Sequence, residues 1–513
     1  MSGSLLQLRN IGTEDQYLYS FDSNSNFMFK AKVTKCVTFA SEIIEQTLAT
    51  PVDFSEQFST DITSGPDLLS RIYLEFNLPS VTLNASVNNL NCIGRYVDNL
   101  AEFLVDYVQI EINGQTLDRQ SGRFMNIYNS ITQDAAKKEI YNKIIGNTET
   151  FCKPFGMKAG IINYTIPSLT VRLPLQFWFC KNISNAIPLC CLRNTPVKIT
   201  GKLRSFDEIF IKYPNVITTV NGKLGMKIFS ECIYLGYKEQ EFFTRNKVSY
   251  LIEQVQYNGD IKLPMNNIVT SVGLNFTKPV KTILVAAQKG LYTMQKTAEN
   301  TMNNYYNAVN QWNNYSLCAY DNYTNNWGPN SNNSTTYGQI INSMQMKISG
   351  TDRTMVLPND YYSLMVPYYK FKNCANGILV YTFAENPLDT VNPSGSANFT
   401  RMNNVQLQLS LNNSVLDYTV TNGNTVLPTS KLCQGYVYNN NNSNSISTLP
   451  VNNVIDTINL FVYAISYDWI SFENGMCSVG YFNMNTQNAI CYNVNPNINQ
   501  LNQFATNNYY RSY

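Results

Sequence analysis

Apolar residues along this chain come in short runs, with little of the spacing that marks an amphipathic helix. Tyr, Val, Ile and Phe dominate the runs and Asn, Gly or Pro bound them, which predicts many strands joined by turns. Strands are expected at Ile72–Leu78, Val105–Ile112, Leu169–Phe179, Val197–Leu203, Lys227–Tyr237, Tyr250–Tyr257, Ile268–Phe276, Val280–Ala287, Gln345–Ile348, Ile378–Phe383, Val405–Leu411 and Thr457–Ile465. Short helices are expected at Val97–Phe103, Gly122–Thr132, Asp134–Ile145 and Asp360–Met365. So many strands exceed one pair of sheets, so the expected class is all-β, built from sandwiches.

The order of elements repeats. Ile112-Asn113-Gly114 precedes an aromatic helix, a strand reaching Phe177-Trp178-Phe179, the strand Val197–Leu203 and a late strand near Ile233. Ile348-Ser349-Gly350 precedes Tyr361–Tyr369, the strand Val380–Phe383, the strand Val405–Leu411 and a late strand near Leu460. Four blocks in one order predict two copies of one sandwich. The expected layout is an arm at 1–27, a first sandwich at 28–240, a polar linker at 241–247, a second sandwich at 248–483 and an extension at 484–513. The stretch 291–344 has no strand pattern and is expected as an exposed crown of the second sandwich, with Trp312 and Trp327 as its large anchors.

Composition narrows the chemistry. The chain has 513 residues and no histidine, which removes Ser-His-Asp and Cys-His catalysis and histidine metal sites. Lys+Arg 37 against Asp+Glu 35 leaves a formal charge of +2, too even for a protein whose task is neutralising phosphates. The 12 cysteines include no CxxC, so free buried thiols are expected rather than a metal cluster or disulfide scaffold. Asp207-Glu208 is expected as a solvated pair, and no GxxxxGK[ST], GxSxG or GxGxxG occurs. No catalytic residue, cofactor or metal is therefore expected. The opening MSGSLLQLRNIG has no basic, apolar signal pattern, and the run Ile283–Ala287 is far too short to span a bilayer. Asparagine numbers 70, and N-x-S/T sequons occur no more often than that abundance gives by chance. Asn314, Asn322, Asn332 and Asn333, inside the expected crown, are the candidate sugar-bearing positions.

Several motifs resemble the double jelly-roll major capsid proteins of nucleocytoplasmic large DNA viruses. They are Gly3-Ser4-Leu5-Leu6-Gln7-Leu8, Asp67-Leu68-Leu69-Ser70-Arg71-Ile72-Tyr73-Leu74, Leu173–Phe179 followed by Ile187-Pro188-Leu189, Tyr250–Gly259, and Asn392-Pro393-Ser394-Gly395-Ser396-Ala397-Asn398-Phe399-Thr400-Arg401. The resemblance runs from residue 3 to about 483. It departs at Ile183-Ser184, where the family has Pro-Gly, and at Tyr467–Ile470. The resemblance implies two tandem eight-stranded antiparallel jelly rolls with a few short helices in loops. It also implies a homotrimeric, pseudo-hexameric capsomer of an icosahedral shell, made late and assembled in the host cytoplasm. Neighbouring capsomers, minor capsid and penton proteins and a nearby internal viral membrane are the implied partners, without direct nucleic-acid contact. Trp178, Pro188, Pro393, Gly395, Asn398 and Arg401 are the signature positions, and they read as architecture. Phe177, Trp178 and Phe179 are expected on alternate faces of one strand, and Pro393-Ser394-Gly395 as a turn. The rival reading of the residues is a surface or secreted β-sandwich that binds carbohydrate.

Overall fold

The computed structural model describes residues 9–10, 12–13, 36–85, 94–148, 163–192, 195–212, 216–264, 269–293, 310–316, 339–412, 420–421, 424–425, 457–473 and 475–480. The remainder of the arm 1–27, the extension 484–513, Trp327, Asn322, Asn332 and Asn333 lie outside the described residues.

Residues Phe39–Gly480 form one compact unit holding two jelly rolls. The main strands of the first are β1 (Phe39–Gln46), β2 (Gln57–Asp61), β3 (Leu68–Leu78), β4 (Val105–Ile112), β5 (Gln115–Ser121), β6 (Leu169–Pro174), β7 (Val197–Leu203) and β8 (Gly225–Leu235). Those of the second are β9 (Val248–Tyr257), β10 (Val269–Gly273), β11 (Pro279–Lys289), β12 (Ile341–Ile348), β13 (Thr351–Asp352), β14 (Ile378–Thr382), β15 (Val405–Leu411) and β16 (Thr457–Glu473). The first roll hydrogen-bonds in the orders β1-β8-β3-β6 and β2-β7-β4-β5. The second uses β9-β16-β11-β14 and β10-β15-β12-β13, which is the same topology. All these pairings are antiparallel. Further short strands pair off these ladders, for example Ile187–Pro188 on β3 and Ala397–Asn398 on β11, so neither roll is limited to eight strands.

Local chemistry explains the duplication. The β4–β5 hairpin turns on Asn113 and Gly114 (φ 57° and 72°) and the β12–β13 hairpin on Ser349 and Gly350 (φ 52° and 81°). Two consecutive positive φ angles are the tight turn that matches strand twist. β7 and β15 alternate buried and half-buried positions along their whole lengths, each with one face on its own core. The β3–β8 ladder slips beside Ser70 and the β11–β16 ladder slips beside Lys281, so even the bulge recurs.

Helices occupy the connections: α1 (Leu100–Leu104), α2 (Gly122–Thr132), α3 (Ala135–Ile145), α4 (Trp178–Lys181), α5 (Phe206–Ile209) and α6 (Tyr237–Arg245). Glu102 of α1 is fully buried and accepts from Asn99 Nδ2, Asn126 Nδ2, Asn129 Nδ2 and Tyr141 Oη at 2.6–3.1 Å. One carboxylate thus ties three helices together. α6 spans most of the expected linker and is bound at its start, where Asp67 accepts from Gln240 Nε2 and Leu235 N.

Several expectations are corrected here. The strand expected to reach Phe179 stops at Pro174, and Trp178 begins a helical turn. Proline has no N–H to carry the ladder further. Phe177 and Phe179 therefore stack at 5.7 Å with Trp178 edge-on at 5.3 Å, all three buried together rather than on opposite faces. The described parts of the expected crown, 310–316 and 339–344, are largely buried, because Trp312 and its neighbours face the first roll. Asn314 is 6% exposed, with Nδ2 donating to Gln311 Oε1, so its amide is not presented for a sugar. Of the pair Asp207-Glu208, Asp207 is exposed as expected, whereas Glu208 is half-buried and accepts from Ser205 N in the cap of α5. Of the described thiols, Cys36 and Cys374 are exposed.

Candidate functional site

The second roll's larger sheet is covered on both faces. In β11, Val280, Ile283, Val285 and Ala287 enter the second roll's own core, while Leu284 and Ala286 join the core of the first. β14 divides the same way, Leu379 and Tyr381 inward, Ile378 and Val380 toward the first roll. In β16, Ile458, Leu460, Val462 and Ala464 alternate with Phe461, Tyr463 and Ile465. Alternation with both sets apolar is what a strand buried on two sides requires. The two rolls thus share a continuous hydrophobic junction.

Polar groups inside that junction fix its register. Asp118 of β5 accepts the Val255 N–H of β9 at 3.0 Å, and Ser121 Oγ meets Tyr463 Oη at 3.1 Å. Asn373 N donates to Ile131 O at the end of α2. Lys181 of α4 reaches Glu253 of β9 at 3.4 Å, and Lys281 pairs with the other oxygen of the same carboxylate. Lys181 also lies over the Tyr128 ring at 4.3 Å. Burial pushes the Glu253 carboxyl up, but the two ammonium groups outweigh it and hold it below its usual range. Burial pulls Lys281 down despite Glu253. Burial also lowers Lys181, but Tyr128, Glu253 and Asp118 together hold it above its ordinary value. For Asp118 burial outweighs the Val255 and Gln120 hydrogen bonds and the Lys181 charge, and pushes the carboxyl up to about 6.

A second cluster clamps the segment 310–316. Trp312 Nε1 donates to Glu208 O at 2.9 Å and Asn310 Nδ2 to Asp207 O at 2.8 Å, so α5 of the first roll receives both. Arg204 stacks over the Trp312 ring at 4.0 Å while pairing with Asp106 at 3.3 Å. Gln288 Nε2 donates to the carbonyls of Gln311, Trp312 and Asn314. Among the described residues no group of three Cys, Asp or Glu side chains is placed to hold a metal, and no helix is long and apolar enough to cross a membrane.

The signature positions fall in two places that the duplication makes equivalent. Pro188 and Ile187 pair with Leu68 and Leu69 at the start of β3, followed by the short turn Leu189–Cys191. Asn398 and Ala397 pair with Pro279 and Val280 at the start of β11, followed by the turn Phe399–Arg401. Asn398 Oδ1 caps that turn by accepting from Thr400 N, Phe399 is buried against Phe276 and Phe383, and Arg401 is exposed. Pro393 is exposed, Ser394 Oγ bonds Asn386 in both directions, and Gly395 lies at φ +140° where a Cβ would come within 2.6 Å of Phe383 O. Trp178 is 3% exposed. Of the junction residues, Glu253 falls within the motif Tyr250–Gly259, while Asp118, Lys181, Lys281, Arg204 and Gln288 lie outside every motif. The one signal available is Lys281, a charge inside an apolar strand, which demands a buried partner.

Comparison with known proteins gives a consistent result. A family model described as major capsid protein N-terminus matches residues 27–235, and one described as large eukaryotic DNA virus major capsid protein matches residues 239–478. The chain is 27% identical over 504 residues to the major capsid protein of Phaeocystis pouchetii virus, covering 81% of this chain and 94% of that one. It is 25% identical over 497 residues to the major capsid protein of Paramecium bursaria Chlorella virus 1, covering 94% and 100%. The fold superposes on PBCV-1 VP54 with a TM-score of 0.65 at 21% identity, covering 89% of this chain and 100% of that one. On the Faustovirus major capsid protein the TM-score is 0.61 at 11% identity, covering 91% and 98%.

Proposed function

This chain belongs to the major capsid proteins of large eukaryotic DNA viruses, and from that premise we propose that it builds the shell as a homotrimer whose six jelly rolls approximate a hexagon. The protein is a structural component of the virion capsid shell. The observation that carries the proposal is the shared core: with one sheet buried on both sides, the two rolls of a chain behave as one rigid third of the tile. Three such pairs about a closed three-fold axis give six sandwiches in near-hexagonal array. The role is mechanical rather than catalytic, and no cofactor is needed for it. Neighbouring capsomers, minor capsid and penton proteins are the proposed partners, with the arm 1–27 facing the shell's inner base near an internal membrane. Assembly takes place in the host cytoplasm, without direct nucleic-acid contact. Negative-stain images of the purified protein test this reading. Six-lobed particles of hexagonal outline are expected; two-lobed single chains at micromolar concentration would overturn it.

A further inference from the structure

The roll junction opens into a cavity of about 220 Å³, with Arg123 from the first roll and Lys262, Thr293 and Asn459 from the second among its walls. Arg123 has no ion-pair partner among the described residues. Its guanidinium lies 3.6 Å from the Phe461 ring centroid and 5.6 Å from that of Trp312. Its Nη2 donates to the neutral Gln288 Oε1 at 3.3 Å, and its buried Nε meets no acceptor among the described residues. The residue also stands in the first turn of α2, which has no acid in that turn. A positive charge is disfavoured at that end of a helix. Arg204 is paired with Asp106, yet burial and the neighbouring Arg123 charge still lower its affinity for a proton.

The opposite wall repeats the pattern. Lys262 is exposed and has no ion-pair partner among the described residues. Asn459 Nδ2 donates to Thr293 Oγ1 at 3.3 Å, which leaves the amide a second hydrogen to offer. The wall's one acid, Asp260, takes the Tyr257 hydroxyl at 2.5 Å. A water-accessible cavity lined by two cations, one carboxylate and a spare amide donor carries a net positive charge.

We propose that this cavity binds a small phosphate-class oxyanion, held by Arg123 and Lys262 with Asn459 as neutral donor. The bound anion bridges the first roll to the second, so it stiffens the same junction that the shared core forms. Two cations in a space this large suit a doubly charged tetrahedral ion better than a monocarboxylate. The inference does not depend on how the chain assembles.

Calorimetric titration of the intact protein with inorganic phosphate, at ionic strength matched with sodium chloride, provides the test. Binding is expected, with a higher unfolding temperature in phosphate than in chloride. Lys262→Gln should weaken binding roughly tenfold, and because Lys262 is exposed it should leave the unfolding temperature in chloride unchanged. Asp260→Asn should tighten binding by removing the opposing charge, and Arg123→Gln should abolish it. A parallel titration with adenosine monophosphate separates the sources. Equal affinity assigns the site to phosphomonoesters, and exclusion assigns it to the free ion. No difference between phosphate and chloride, or wild-type affinity in both Lys262→Gln and Asp260→Asn, would overturn the proposal.

Discussion

Truncating Trp312 to alanine removes the second roll's main anchor in the first. The indole is 7% exposed, stacks with Phe103 at 6.2 Å, lies under Arg204 at 4.0 Å and donates to Glu208 O at 2.9 Å. Losing a buried aromatic of this size costs ~3–5 kcal/mol. The hydrogen bond and the cation–π contact with Arg204 together contribute about 1–2 kcal/mol more. Unfolding entropy of about 2.1 cal/mol/K per residue, taken over the unit Phe39–Gly480, makes 1 kcal/mol equivalent to about 1 °C in the midpoint. If the rolls melt together, Trp312→Ala should therefore lower the calorimetric midpoint by roughly 4–7 °C and keep a single transition. Trp312→Phe retains most of the ring and should cost only about 1–2 °C. A change of less than about 1 °C in the alanine variant would show that the 310–316 segment does not hold the rolls together.

Glu102→Leu leaves four donors without their acceptor and should cost about 3 kcal/mol or more, read as a lowered midpoint; wild-type stability would contradict the three-helix tie. Gly395→Ala forces a Cβ against Phe383 O at φ +140° and should cost about 1–3 kcal/mol, whereas Gly65→Ala, with open space around it, should be neutral. Equal behaviour of the two variants would refute the turn argument. Asp118 titrates near 6 when folded against an ordinary 3.8, so the folded chain holds that proton more tightly. Its stabilisation is complete below about 3.8 and fades as pH rises through about 6. Between pH 4 and 7 the wild type should lose at most about 3 kcal/mol relative to Asp118→Asn; a flat difference would refute it.

What the sequence discloses is mostly local. The Asn113-Gly114 and Ser349-Gly350 turns, the alternation in Val197–Leu203 and Val405–Leu411, and the unbroken run Ile283–Ala287 each follow from short-range pattern. All are found in the structure. The apolar run has its cause in the second roll's burial on two faces. The junction was illegible because its partners are distant in the chain: Asp118 with Val255, Lys181 with Glu253, Trp312 with Glu208. Trp178 was misplaced because aromatic content predicts a strand while Pro174 ends one. The equivalence of Pro188 and Asn398 was hidden by residue type, since the two rolls fill one backbone position with different chemistry.

The central claim is that three rigid double-roll chains close into one capsomer. Light scattering coupled to size exclusion measures this directly on the purified protein. The account predicts a single species at three times the 58.3 kDa chain mass, unchanged by reducing agent. A monodisperse species at the mass of one chain, across the concentrations at which shells assemble, would contradict it.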